Sequence, residues 1–133
     1  MDGHIYKSFD KELHDLKEKL LLMGGRVESA IRDAIKALEE RNSEIAQRII
    51  DDDDVVDMEE IEIDEFCLRL LALRQPAARD LRFITTAIKI NYDLERIGDM
   101  AVNISERVLE LNKEPRLRHG EKRGGTRRRA LLD

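Results

Sequence analysis

Leu13, Leu16, Leu20, Met23, Val27, Ala30, Ala34 and Ala37 recur at alternating intervals of three and four residues. Such spacing stacks them along one face of a helix, whereas a strand would alternate every second residue. The pattern persists for more than three heptads, so the segment must be a long helix packed against partners along a seam. This helix is expected from about Ser8 to Glu40. Ser8 is the candidate N-cap, although Lys11 occupies the position where a capping box carries an acid. Gly24-Gly25 interrupts the seam at about 1 kcal/mol per glycine relative to alanine. The pair is expected to serve close helix approach or a mild kink.

Arg41-Asn42-Ser43 makes a short connection, with Asn42 or Ser43 available as the next cap. The second helix is expected over Glu44 to Leu73, with the seam Ala46, Ile49, Asp53, Val56, Glu60, Ile63, Cys67, Leu70. Two of these core-type positions are acidic. A third helix is expected to start after Pro76, a residue suited to the first turn, and to reach about Asn112. It carries two stripes: Leu81, Ile84, Ile88, Asn91, Glu95, Val102 and Leu94, Ile97, Ala101, Ile104, Val108, Leu111. The second stripe exceeds what one neighbour would cover. Pro115 is expected to stop the helix. The fold class is therefore all-α, a three-helix up-down-up antiparallel bundle over residues 1–112.

The acids in the seam are the functional lead. Asp53 and Asp57 form one i,i+4 step, and Glu95 and Asp99 form another. If the second and third helices reverse about Pro76, facing positions sum to about 152 at equal rise per residue. That sets Asp53 against Asp99 and Asp57 against Glu95. Four converging carboxylates repel unless protons or a cation compensate them. An all-oxygen donor set suits Mg, Ca, Mn or iron better than a structural zinc. Asn91, Asp93 and Arg96 lie near enough in sequence to orient or neutralise these ligands, and Arg96 or Arg48 could instead pair with them.

Composition excludes other classes. The chain has 133 residues, 41 % apolar and 40 % charged, with no tryptophan. One cysteine, Cys67, precludes an internal disulfide or a multi-cysteine zinc site and fits the core as a small hydrophobe. No targeting peptide is read at the N-terminus, and no apolar run approaches the ~20 residues of a membrane span. A cytoplasmic protein without membrane insertion is expected. Residues 1–112 carry 16 Lys and Arg against 26 Asp and Glu, an acidic body unsuited to nucleic acid. Residues 113–133 carry 8 against 3 and are expected to form a basic, disordered tail. His4, His14 and His119 do not recur at Glu-x-x-His spacing with the acids, and no Ser-His-Asp or Cys-His arrangement appears. No catalytic residue is assigned.

Gln75-Pro76-Ala77-Ala78-Arg79-Asp80-Leu81-Arg82 and Ile90-Asn91-Tyr92-Asp93-Leu94-Glu95-Arg96-Ile97-Gly98-Asp99-Met100-Ala101-Val102-Asn103-Ile104 closely resemble the PhoU family of bacterial regulators of phosphate uptake and signalling. Met23-Gly24-Gly25 and Cys67-Leu68-Arg69-Leu70-Leu71-Ala72-Leu73 look like the first helical repeat of that family, and the resemblance covers about residues 8–115. It implies acidic E/D-x-x-x-D motifs, here Asp53 with Asp57 and Glu95 with Asp99, that hold multinuclear iron or zinc, or other divalent cations. It further implies an accessory, non-enzymatic role as a negative regulator. The implied partners are the phosphate ABC transporter ATPase and a phosphate-sensing histidine kinase. The family continues into a second bundle; here the composition turns basic near Arg116, so the second repeat is expected to be missing and a homodimer to replace it. Two other readings stand beside this one: a metal-dependent hydrolase-like enzyme using the carboxylates to activate water, and a purely structural helical scaffold.

Overall fold

The chain folds into three long helices, α1 (Asp2–Glu40), α2 (Ser43–Arg74) and α3 (Ala78–Lys113), in a computed structural model that describes residues 2–114 and side chains from Ser8 onward. Each helix packs on both others in an up-down-up bundle. The expected seam of α1 is its buried edge, and it begins one step earlier, at Phe9. Ser8 does not cap α1. It lies inside the helix, where its hydroxyl accepts from Arg74 Nη2 at 3.2 Å while Arg74 Nε donates to Glu12 at 2.7 Å.

The α1–α2 turn is closed by backbone geometry. Arg41 adopts the left-handed region (φ 54°), and the amides of Arg41 and Asn42 donate to the carbonyls of Leu38 and Ala37. This is the Schellman pattern, normally built on glycine. Asn42 then caps α2, its side-chain oxygen accepting from the amide of Ile45 at 3.1 Å. Asn112, in the last turn of α3, ties down the same turn by donating to the carbonyl of Arg41 at 2.8 Å and to Ser43 at 2.7 Å. At the other end Gln75 is left-handed (φ 44°) and Ala77 precedes α3 without a side-chain cap. As expected, α3 starts after Pro76, which lies just ahead of the Ala77 cap position. The expected stop at Pro115 and the expected tail lie outside the described residues, except that α3 reaches Lys113 and Glu114 follows it, donating to the carbonyl of Leu111.

The core has a bulky half and a small half. Leu16, Met23, Val27, Val56, Ile63, Cys67, Leu70 and Ile84 fill the first, each large aliphatic contributing about 1.5–3 kcal/mol by burial. Ala34, Ala37, Ala46, Ala101, Ile49 and Val108 fill the second, beside the α1–α2 turn. The stripe Leu94, Ala101, Ile104 and Val108, expected to exceed what one neighbour covers, is mostly absorbed by the bundle itself; only Ile97 stays exposed. The exposed large apolar residues of α3 are Leu81, which was expected on a buried stripe, with Phe83, Ile90, Tyr92, Ile97 and Met100; Phe83, Ile90 and Ile97 stand at heptad spacing.

Glycine use also departs from expectation. A Cβ at Gly24 or Gly25 would meet nothing within 4 Å, so neither serves close helix approach. Gly98, buried in α3, is the glycine with neighbours: an added Cβ would lie 3.4 Å from Val56 Cγ1 and 3.9 Å from Val27 Cγ2, ordinary contact distances. Gly24→Ala and Gly25→Ala are each expected to stabilise the bundle by about 0.5–1 kcal/mol, because helix propensity improves without a clash. Urea denaturation checks this; a loss of stability in either variant would show that the glycine has a structural use.

Candidate metal centre

Core-facing acids on α2 meet an acid on α3 because the helices run antiparallel at close range. Gly98 lies against this face: a Cβ there would stand 3.9 Å from Asp53 Oδ1, an ordinary contact distance. Asp53, Asp57 and Asp99 each present an oxygen, and the three oxygens lie within 4.8 Å of one another. Glu95 adjoins this trio, one turn before Asp99 on α3, but is not part of the tight group. The pairing expected from residue positions is thus realised for Asp53 with Asp99, and Glu95 lies within electrostatic reach of Asp57.

Burial and like charge govern the protonation of these groups. Asp53 is half-buried, and its pKa rises from 3.8 to about 6, first through desolvation and then through Asp57, Asp99 and Asp54. Glu95 is pushed up by burial first, then by the charge of Asp99 and a hydrogen bond shared with it, with smaller contributions from Asp57 and Glu60. Glu60, the other acid in the α2 seam, is raised by burial and then by Asp64 and Asp57. Among the described residues no ion pair involves Asp53, Asp57, Glu95 or Asp99. Arg96 and Arg48, candidates for neutralising them, make no ion pair, and Arg26 is taken by Glu59 at 3.0 Å. Asp93 and Arg96 are exposed.

Asn91 is wholly buried, and its amide nitrogen donates to the backbone carbonyl of Glu60 at 2.9 Å, not to a carboxylate of the cluster. Its oxygen is buried without a partner. Tyr92, Asp64, Glu60 and Gly98 were not singled out as site residues from the sequence. Tyr92 donates to Asp64 at 2.9 Å, and that bond raises the phenol's pKa. The facing positions near 152 held the signal for Glu60, which bonds to Asn91. Cys67 is buried in the core as expected, its thiol pushed up to about 11 by desolvation and then by Asp64.

The donor set fits a hard divalent cation. Three carboxylate oxygens within 4.8 Å of one another need only a small inward movement to share one ion, and all-oxygen sets of this kind suit Ca and Mg. A groove of about 650 Å³ opens between α1 and α2, lined by Leu21, Leu22, Gly25, Arg48 and Val55, and touches the cluster only through Asp53 and Gly98. Asp57, Glu95 and Asp99 do not line it. A substrate in that groove would therefore face one of the four acids, which gives the hydrolase reading no support.

The family model of the PhoU domain matches residues 20–108. The chain belongs to the PhoU family. It is 46 % identical over 111 residues to the phosphate-specific transport system accessory protein PhoU homolog of Pseudomonas aeruginosa, covering 84 % of this chain and 46 % of that protein. The crystal structure of PhoU from Pseudomonas aeruginosa matches with a TM-score of 0.78 over 81 % of this chain and 53 % of that one. The phosphate transport system regulatory protein PhoU from Streptococcus pneumoniae matches with a TM-score of 0.74 at 32 % identity, over 93 % of this chain and 56 % of that one. The chain thus spans about half the length of the PhoU proteins it matches. Among the described residues no helix is long and apolar enough to cross a membrane.

The raised carboxyls fix the sign of a pH dependence. Because the folded state favours their protonated forms, their contribution to stability is fully present below the ordinary carboxylate pKa. It is lost as pH rises through the folded values, near 6 for Asp53. Without divalent cations, Asp53→Asn is expected to raise stability at pH 7.5 by up to about 1 kcal/mol, modest because the site is open to screening. It should also flatten the fall in stability between pH 4 and 7. Urea denaturation across that range is the check; an unchanged slope would place the repulsion elsewhere.

Proposed function

We propose that this PhoU-family chain is an accessory regulator of phosphate uptake and phosphate-starvation signalling, acting negatively in the cytoplasm through the phosphate ABC transporter ATPase and a phosphate-sensing histidine kinase. It catalyses no reaction in this reading. The observation that carries it is the carboxylate trio Asp53, Asp57 and Asp99, with Glu95 beside it, in a chain of this family. Asp53, Asp57, Glu95 and Asp99 would hold a divalent or multinuclear metal, iron or zinc by family resemblance and Mg or Mn by the donor set. When bound, the metal supplies positive charge that removes the repulsion between α2 and α3 and stiffens that face. The ligands must be deprotonated, so Asp53, raised to about 6, makes binding weaken as pH falls through that value.

Glu95→Gln with Asp99→Asn is expected to abolish bound metal while leaving helical circular dichroism intact. Elemental analysis after native purification and Mn²⁺ titration by calorimetry are the measurements; full occupancy in the double variant would move the site elsewhere. The same variants in pull-downs with the transporter ATPase and the kinase separate a regulator from a scaffold, and turnover of phosphate esters would reveal an enzyme.

A homodimer accompanies this reading, supported by the exposed heptad stripe Phe83, Ile90 and Ile97 on α3. Ile90→Lys with Ile97→Lys is expected to shift a dimer to monomer at micromolar concentration. Sedimentation giving a compact monomer for the parent chain would remove the dimer from the proposal.

A further inference from the structure

The bundle buries two polar side chains among the described residues, Ser105 and Asn91, and they differ. Ser105 satisfies itself on its own helix by donating to the carbonyl of Ala101. Asn91 reaches across to α2, donating to the carbonyl of Glu60 at 2.9 Å, and leaves its own oxygen unpaired in the core. Turning the amide over would set oxygen against oxygen, so this orientation is fixed. The next residue, Tyr92, donates to Asp64 at 2.9 Å. Glu60 and Asp64 are one turn apart on α2. Two consecutive residues of α3 thus grip two successive turns of its neighbour.

Apolar seams of helices constrain axial position weakly, and a single buried Asn is the usual device for specifying it, at a cost in stability. Here the grip stands on one side of the carboxylates, one turn or so from Asp57 and Glu95. The mutual repulsion of Asp53, Asp57, Glu95 and Asp99 pushes α2 and α3 apart in the stretch next to this grip. We propose that Asn91 and Tyr92 are positioning residues, a polar clasp that fixes α3 on α2 and holds the acids of the two helices at cation-binding distance. The proposal rests on the cation reading above for its consequence, but not for its geometry.

The test uses the full chain with nitroxide labels at Met58→Cys and Met100→Cys, both exposed positions, while the buried Cys67 stays unlabelled. One narrow distance is expected between the labels in the parent. Asn91→Leu should broaden it and raise the thermal midpoint by a few degrees, about 2–5 °C, since an unpaired buried oxygen is replaced by an apolar group. Mn²⁺ affinity should nevertheless fall about tenfold. This opposite movement of stability and affinity is what a merely structural residue would not give. Tyr92→Phe keeps the ring at the surface and folds in any case; its Mn²⁺ affinity should fall about threefold with little change in midpoint. Unchanged label distances and Mn²⁺ affinity in both variants would overturn the clasp. Failure of the parent to bind Mn²⁺ would instead strike the cation reading, and the label distances would still decide whether the clasp fixes the helices.

Discussion

Repulsion between carboxylates across the α2–α3 seam is the constraint around which this bundle is arranged. Asp53 and Glu60 occupy positions that a simple heptad would give to leucine or isoleucine, and Glu95 stands opposite them. The pKa of each is raised, first by burial and then by the like charge of its neighbours. The apolar contacts on either side must therefore exceed a local force that opposes them. The bulky core of Leu16, Met23, Val27, Ile63 and Ile84 supplies most of that excess.

Local choices along the chain follow from that strain. Gly98 is buried on α3 against Val56 and Val27, where α2 and α3 bring oxygens of Asp53, Asp57 and Asp99 within 4.8 Å of one another. At the alanine-lined end the helices meet through small side chains, and Asn112 fastens the α1–α2 turn to α3. The acids thus sit near mid-bundle, between the bulky core and the alanine-lined end.

Two surfaces remain outside this arrangement. The groove between α1 and α2 meets the cluster through Asp53 and Gly98 only, and its walls are largely apolar. The stripe of Phe83, Ile90 and Ile97 lies exposed on α3. Both are compatible with a chain that spans about half the length of the PhoU proteins it matches.

The helices and their buried edges were legible in the sequence because three-and-four spacing admits no other regular structure, and the seams of Leu16 to Ala37 and Ala46 to Leu70 are the edges observed. The acidic pair facing Asp99 was legible too, since equal rise on antiparallel helices fixes which positions meet. What spacing could not supply was the rotation and closeness of each helix. It did not show that Ile104 and Val108 turn inward while Ile90 turns out, because that depends on where two neighbours sit at once. It misassigned Gly24-Gly25, since a glycine's purpose lies in what faces it, and only packing shows that Gly98 has Val56 against it and they have nothing. Of the caps, Asn42 was legible as a candidate and is the one used, whereas Ser8 is drawn to Arg74 at the far end of α2 and Arg41 closes the turn through its backbone. The sequence by itself determined three helices and an acidic seam; tertiary structure decided which carboxylates converge, because convergence within 4.8 Å is a property of two helices held together and not of either alone.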